Sequence, residues 1–590
     1  MPNWQIRETT ADVRLMSVTL GVSETMAAAL AHRGIRSKKA AIKYLNPKME
    51  FLGDWREFAG MEKAAGIIMD AVKRGQKITV YGDYDVDGVM SAVILYKTIG
   101  FFGGDVSYYI PHREEEGYGL NREAVMKLKE AETELLITCD NGISALMETA
   151  LAKSSDMRVI IIDHHEPGFV EGAEGRKSVI PDADAVIDPK ADGCPYRFKE
   201  LCAAALAYRL AQALFELGGR EYEYDGEFLA LAAIATVCDI VPMLDENRII
   251  VKNGLARLNG NKDLNFGLRR LLFARNLTEK ELTVFDVGFI IGPCINACGR
   301  LEHAGDAVRL LLTEDDGEAS RLALKMVELN NERKDMTAES AERIMESGDL
   351  GRDKVIVVYD GKTHESVAGI VAGRIKDAMC RPVIVLTDSA SGVKGSARSV
   401  EGYNIFEELY KLKRLFTRFG GHAMAAGLSM ERGNVDALRE GLNLNCGLTE
   451  EDFIPVMMLD APMELNMVTY ELARELAGLA PYGKDNPEPT FAAINVKPVE
   501  LRMIDEKNTM IFSFAAEGYR KIRGVCFGMN DRWKQEICKV ADGYEAAKIF
   551  AGVLRTADFG MDMVYSPEIN EYNGNASVQV RIKDFKIYGR

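Results

Sequence analysis

The polar and apolar positions of this 590-residue chain fall into a repeating rhythm from Met61 onward. Helical periodicity over Lys63–Arg74 is followed by a β-rich run at Lys77–Tyr81, and a helix begins after Gly88. A strand is predicted near Val106–Ile110, then a helix from Asn121, a strand ending at Asp140, a helix after Ser144 and a strand over Val159–Ile162. Short apolar runs alternating with helical segments predict βαβ units, and right-handed crossovers make these a doubly wound parallel sheet. Residues 200–310 read as mostly helical. The stretch 314–347 lacks Pro and has Gly only at 317, which predicts one long connecting helix. A second α/β unit starts at Lys354–Tyr359, continues through Pro382–Leu386 and closes near Asn445. Short alternating segments after 455 predict a small β-barrel. The expected division is a helical segment at 1–60, a catalytic α/β domain at 61–313, the connecting helix at 314–347, a second α/β domain at 348–450 and the barrel at 451–590.

The apolar runs end in acids. Thr79–Gly82 runs into Asp83, Asp85 and Asp87; Leu135–Cys139 into Asp140; Val159–Ile162 into Asp163, His164 and His165. Asp239 closes a fourth apolar stretch, Leu229–Val237. A parallel sheet collects functional groups at the carboxyl ends of its strands. Carboxylates and imidazoles crowded there repel one another or desolvate badly unless cations sit among them. Asp83, Asp85 and Asp87 share one parity, so an extended segment would project them to one side. In an extended chain His164 and His165 would point oppositely, one to a cation and the other to substrate or to the groups that support the ligands. Oxygen-rich ligation with imidazole suits Mn²⁺ or Mg²⁺. An isolated Asp-x-Asp is more often a turn or a cap; it is the series of acidic run-ends that argues for a metal site.

Composition changes this picture little. Lys and Arg total 73 against 89 Asp and Glu, leaving −16. That balance is unlike the basic face of most nucleic-acid binders, but it includes carboxylates that cations would neutralise. Ten cysteines contain no CxxC pair, so reduced thiols in a cytoplasmic protein are expected and a structural zinc site is not. No basic segment followed by an apolar stretch opens the chain. The most apolar stretch, Phe228–Leu244, carries Thr236, Asp239 and Pro242 and reads as a buried helix and loop rather than a membrane span.

The segments GDYDVDG, CDNG, DHH and CDIVPM resemble motifs one to four of the DHH phosphoesterase superfamily, whose members hydrolyse phosphodiester or phosphoanhydride bonds with two divalent metals. The resemblance implies Asp85, Asp87, Asp140, His164 and Asp239 as metal ligands, with Asp140 bridging. It implies His165 at the phosphate, Asp163 supporting the site and Asp83 close by. Some relatives place a ligand His where Tyr81 stands. Further segments are similar to those of the superfamily's single-strand-specific 5′→3′ DNA exonucleases: Pro111–Arg113 with Glu116–Leu120, Ile295–Leu301, His364–Ala372, Ser396–Ser399, Gly420–His422, and Leu479–Gly483 with Asn486–Phe491. Cys294 and Ser366 depart from that pattern, where an Arg and a Gly are usual. The resemblance implies an OB-fold at the C-terminus, release of 5′-mononucleotides, and a role in DNA repair and recombination. The implied partners are single-stranded DNA, a single-strand-binding protein and a helicase, with no membrane association and a monomeric state.

Physical chemistry gives these segments roles. Arg113, Arg300, Arg374 and Arg398 suit phosphate oxygens, which guanidinium binds bidentately. His364 and Ser396 are further donors, and the turn at Gly420, Gly421 and His422 lets backbone N–H groups approach a phosphate. Lys411, Lys413, Arg414 and Arg418 interleaved with Tyr410, Phe416 and Phe419 suit a groove that tracks single strands, although a solvated helix face has the same composition. Two rival functions share the motifs: a small-substrate phosphoesterase, which generally lacks the C-terminal domain, and a catalytically silent scaffold, which has no use for the full acid set.

Overall fold

The computed structural model describes residues 2–588 apart from 173–174, 223, 261–263, 349, 390–391, 516–520, 552, 554–558 and 573. These residues form two compact units, Met49–Pro455 and Met1–Lys48 with Val456–Arg590.

The first unit is built on a five-stranded, all-parallel sheet. Its order is Asp105–Tyr109, Lys77–Gly82, Leu135–Cys139, Arg158–Ile162 and Ala185–Ile187. Strand residues alternate between two covered faces. Ile78, Val80, Ile137 and Ile160 pack with the helices Met61–Arg74, Val86–Phe101 and Ala203–Leu217. Tyr81, Leu136, Val159 and Ile161 pack with Arg122–Glu130 and Leu146–Ser154. Burial on both faces explains why these strands read as continuous apolar runs. From the Lys77–Gly82 strand the chain first moves to one edge of the sheet, then crosses back to Leu135–Cys139. The direction therefore reverses between Gly82 and Cys139, which is where a doubly wound sheet opens its crevice.

The stretch after 200 is helical as expected, and the Phe228–Val237 run is buried in the helix Asp225–Cys238. Val284–Leu301 has the length and hydropathy of a membrane span, with half of it buried in the protein as in a core helix. The connecting helix runs Asp316–Glu346, with Asp315 accepting from the Glu318 N–H at its start. Its first half buries Ala319, Leu322 and Met326 in the catalytic core, and its second half packs Ala341 and Ile344 against Val367, Val371 and Ile375. The second sheet has the order Phe416–His422, Ala425–Met430, Gly392–Arg398, Val383–Ser389, Ile356–Tyr359; only its last pair is parallel.

In the other unit, seven strands between Ala461 and Tyr588 form one sheet around Phe512, Phe514, Trp533 and Phe585. The N-terminal helices Glu24–His32 and Lys38–Leu45 join that core, where Met26, Leu30 and Tyr44 pack with Leu476, Leu479 and Phe491. The strand Asn3–Ile6 pairs in parallel with Val456–Leu459.

Candidate metal centre and phosphate pocket

Each acid reaches the crevice by a specific local device. The Lys77–Gly82 strand stops at Gly82, and Asp85 caps the helix Val86–Phe101, accepting from the N–H groups of Asp87 and Gly88. The chain is thus not extended across Asp83, Asp85 and Asp87, and the expected single-sided projection does not occur. Asp83 and Asp85 group with Asp140, whereas Asp87 lies in the first helical turn and groups with His164 and Asp239. Both Asp87 oxygens accept backbone N–H bonds, from Ala203 at 2.7 Å and Ala204 at 2.8 Å. These belong to the N-terminus of the helix Ala203–Leu217, whose dipole favours a negative charge. Asp140 continues the ladder, donating its N–H to Ile162, then turns with φ 63°. Asp239 is not at a strand end. The alanine-rich run before it forms a helix, and Asp239 sits at the C-cap, where the dipole opposes a carboxylate and a cation is correspondingly favoured.

The His pair also departs from the extended expectation. Asp163 Oδ1 accepts from the N–H groups of His164 and His165 and from His165 Nδ1 at 2.7 Å, while Oδ2 accepts from the Ile143 N–H. This turn brings the two rings to 4.5 Å between centroids instead of sending them apart. His164 Nε2 faces Asp140 at 3.3 Å and Asp87 and Asp239 at 3.6 Å. It is buried without a hydrogen-bond partner, as is Asp83 Oδ1.

The electrostatics fit this geometry. Burial and neighbouring carboxylates push Asp140, Asp239 and Asp83 well above the usual carboxylate range, and Asp87 up to about 6. Burial holds His164 down to about 3, keeping it neutral, the form that ligates metal. Burial works against a charge on His165, yet the bond to Asp163 raises it to about 9. An orphaned imidazole nitrogen facing mutually destabilised carboxylates is a donor set suited to oxygen-preferring divalent cations, and ligand atoms in each group lie within 4.8 Å of one another.

Beside the acids lies a cavity of about 550 Å³. Arg113, Ser396 and Gly420 line it together with Tyr84, Tyr118 and Ser366. Arg300 donates to the Ser366 carbonyl at 2.9 Å. A Cβ on Gly369 would stand 2.8 Å from Arg398 Nη2 and 3.4 Å from Ser396 Oγ, so Arg398 and Ser396 flank one spot. Burial lowers Arg300 to about 9, with Arg113, Arg333 and Arg398 adding repulsion, and burial lowers Arg398 too. Guanidiniums crowded in this way favour an anion. His364 Nδ1 bonds Ser366 Oγ at 2.7 Å and its Nε2 stands 3.6 Å from Glu114.

Of the expected residues only Arg113, Ser396 and Gly420 line the cavity; Arg300, His364 and Arg398 stand behind Ser366 and Ser396, and three others lie farther off. Arg374 is exposed on the helix Ala368–Met379, Gly421 lies within its strand at φ 150° opposite Ala426, and His422 ends that strand with its ring accepting from the Met424 N–H. Tyr81 donates to the Gly119 carbonyl at 3.0 Å and stacks on Tyr109, packed with Leu136, Val159 and Ile161. Cys294 is buried and accepts from Asn330. Residues overlooked in sequence include the Ala203–Ala204 N–H pair, Asn296, which accepts from the Val86 N–H at 3.2 Å, and Tyr118. The Tyr118 hydroxyl donates to the Asp140 carbonyl at 3.2 Å and lies 3.3 Å from His165 Nε2. Asn296 carried a signal within its motif; a helix N-terminus more than a hundred residues from its carboxylate carries none.

A doubly wound sheet whose reversal point gathers carboxylates and imidazoles beside a guanidinium-lined cavity defines a metal-dependent phosphoesterase. Residues 77–236 match the DHH family, N-terminal domain; 352–446 match the DHHA1 domain; 459–584 match the RecJ OB domain. The single-stranded-DNA-specific exonuclease RecJ of Bacillus subtilis is 36% identical over 99% of this chain and 71% of its own length. Crystal structures of RecJ from Thermus thermophilus superpose with TM-scores of 0.80 for the Mn²⁺ complex and 0.75 for the Mg²⁺ complex. They are 29% and 27% identical, and each alignment covers 99% of this chain, with 79% and 78% of the respective crystal chains. The chain belongs to the RecJ family of single-stranded-DNA-specific exonucleases.

Proposed function

We propose that this protein is a 5′→3′ exonuclease that hydrolyses single-stranded DNA to 5′-mononucleotides with two divalent cations, Mn²⁺ or Mg²⁺. The observation that carries this reading is the adjacency of cavity and acid cluster: Tyr118 lines the first and hydrogen-bonds Asp140 of the second. An anion held by the arginines would leave the next phosphodiester near the carboxylates, which supports reading the protein as an enzyme that counts from a phosphorylated end.

In this reading Asp85, Asp87, Asp140, His164 and Asp239 would hold the cations, and Asp140 is the one of these five that belongs to a candidate group with Asp85 and to another with His164. When bound, the cations supply an activated water and stabilise the attacking and leaving oxygens. The Ala203 and Ala204 N–H groups fix both Asp87 oxygens, and Asp83 supports the cluster from behind. Asp163 keeps His165 protonated at neutral pH, so that His165 can donate to a phosphoryl oxygen or to the departing 3′ oxygen. Arg113, Arg300, Arg398, Ser396 and Gly420 receive the terminal phosphate. Arg374, His364, Gly421 and His422 act further along the strand. Phe419 meets Phe406, Tyr410 and Phe416 at ring distances of 5.4–6.2 Å, with Lys413 over Tyr410, a composition suited to stacked bases. Residues 61–313 do the chemistry, 314–347 connect, 348–450 hold the end, and 451–590 bind the strand, with 1–60 preceding them. The setting that fits is cytoplasmic DNA repair and recombination, by a monomer working with a single-strand-binding protein and a helicase.

The test uses single-stranded DNA labelled at either end. With Mn²⁺, a 5′ label should appear at once as mononucleotide while a 3′ label shortens progressively, and chelation should stop both. The reverse pattern overturns the polarity; no cleavage of DNA, with cleavage of dinucleotides or pyrophosphate, supports the small-substrate rival.

A further inference from the structure

The sheet that carries Ser396 and Arg398 has a row of donors that the terminal-phosphate reading does not use. Along Gly392–Arg398, alternate residues share a face, so Lys394, Ser396 and Arg398 project together. Directly paired residues of antiparallel strands also share a face. The register pairs Arg398 with Ala425 and His422, Ser396 with Gly427 and Gly420, and Lys394 with Ser429 and Arg418. The face is therefore ruled into three rows, about 6.6 Å apart along the strand. The middle row is small and flanked by cationic rows on both sides.

The third row, Lys394–Ser429–Arg418, lines the cavity together with the middle row. An ammonium, a hydroxyl and a guanidinium in line are donors for phosphoryl oxygens. The cavity, at about 550 Å³, is in the size range of sites for whole small molecules, about 300–1,000 Å³, and exceeds what one phosphate fills. Lys394 is paired at 3.0 Å with Glu365, which lines the same cavity, so the ammonium is held at the cavity wall.

We propose that Lys394, Ser429 and Arg418 form a second anion subsite that takes the outer phosphoryl groups of a 5′-di- or triphosphorylated strand end. This rests on the exonuclease reading of the same cavity. A strand end carrying a phosphoanhydride would then be admitted with its innermost phosphate on Arg398 and Ser396 and its outer ones along the third row, and would need no prior trimming to a monophosphate.

The test has two arms on the full-length protein. Calorimetric titration without divalent cation should find inorganic tripolyphosphate bound at least tenfold more tightly than monophosphate. Lys394→Ala should remove that advantage and Lys394→Arg restore it. In nuclease assays, 5′-triphosphorylated DNA should be consumed within about threefold of the rate for 5′-monophosphorylated DNA. Lys394→Ala should slow the first at least tenfold and the second less than twofold. Equal affinities for the two anions, or equal slowing of both strands, overturns the subsite. A protein that cleaves no strand yet shows the tripolyphosphate preference and its loss in Lys394→Ala would refute the exonuclease reading and leave the subsite standing.

Discussion

Replacing Asp140 with asparagine is expected to lower the rate of single-strand hydrolysis in Mn²⁺ by about 10³-fold, the equivalent of roughly 4 kcal/mol of lost transition-state stabilisation. The reason is its position. Asp140 belongs both to the group formed with Asp83 and Asp85 and to that formed with His164 and His165, so on the proposed reading its loss would disturb both groups at once. Asparagine is the informative substitution because residue 140 has φ 63°, a conformation that asparagine tolerates and alanine does not. The same variant leaves the metal-free protein as stable as before, or more so. Burial and its acidic neighbours hold the Asp140 pKa above the ordinary value. A group whose folded pKa is raised costs stability at pH values above its unfolded pKa when it must ionise, and removing the charge removes that cost. Parallel rate measurements and thermal melts in chelator check both halves. A variant with full activity, or one that is inactive only because it has unfolded, contradicts the assignment.

Gly88→Ala is expected to fail for a different reason. A Cβ at residue 88 would lie 2.4–2.6 Å from the backbone O, N and C of Asp83, and backbone cannot swing aside as a long side chain can. Relief requires the loop Asp83–Asp85 to move relative to the helix Val86–Phe101, at a cost of about 1–3 kcal/mol. It also carries Asp85 and Asp87 out of register with Asp140. A displacement on the order of 1 Å at reacting groups costs about 10²-fold in rate. The expected result is therefore a lowered melting temperature together with a rate loss of at least that size, and weaker Mn²⁺ binding by calorimetry. Wild-type Mn²⁺ affinity in a destabilised Gly88→Ala protein would show that the close approach serves the fold alone.

The sheet was legible in the chain because both faces of its three central strands are buried, which turns each of those strands into a largely apolar run with an acid just past its end. The location of the centre followed from the rule that such acids gather at carboxyl ends. What the pattern could not convey was the conformation past those ends. Asp163 folds its own turn, which places both imidazoles on one side, and Asp85 begins a helix, which separates Asp87 from Asp83. Asp239 resembled the other acids in sequence, yet the small residues before it favour a helix. The N–H groups of Ala203 and Ala204 that orient Asp87 are backbone atoms, and no side-chain pattern records them. Likewise, helices near the N-terminus share a core with Leu476, Leu479 and Phe491. Amphipathicity shows that such helices need a partner, but not which distant segment provides it.

The convergence of these side chains on cations is tested most directly by anomalous diffraction from crystals of this protein soaked in Mn²⁺. The account predicts two anomalous peaks, one within coordination distance of His164 Nε2, Asp87 and Asp239 and one beside Asp85, with Asp140 reaching both. Absence of any peak among these residues at saturating Mn²⁺, or peaks held by other side chains, would contradict it.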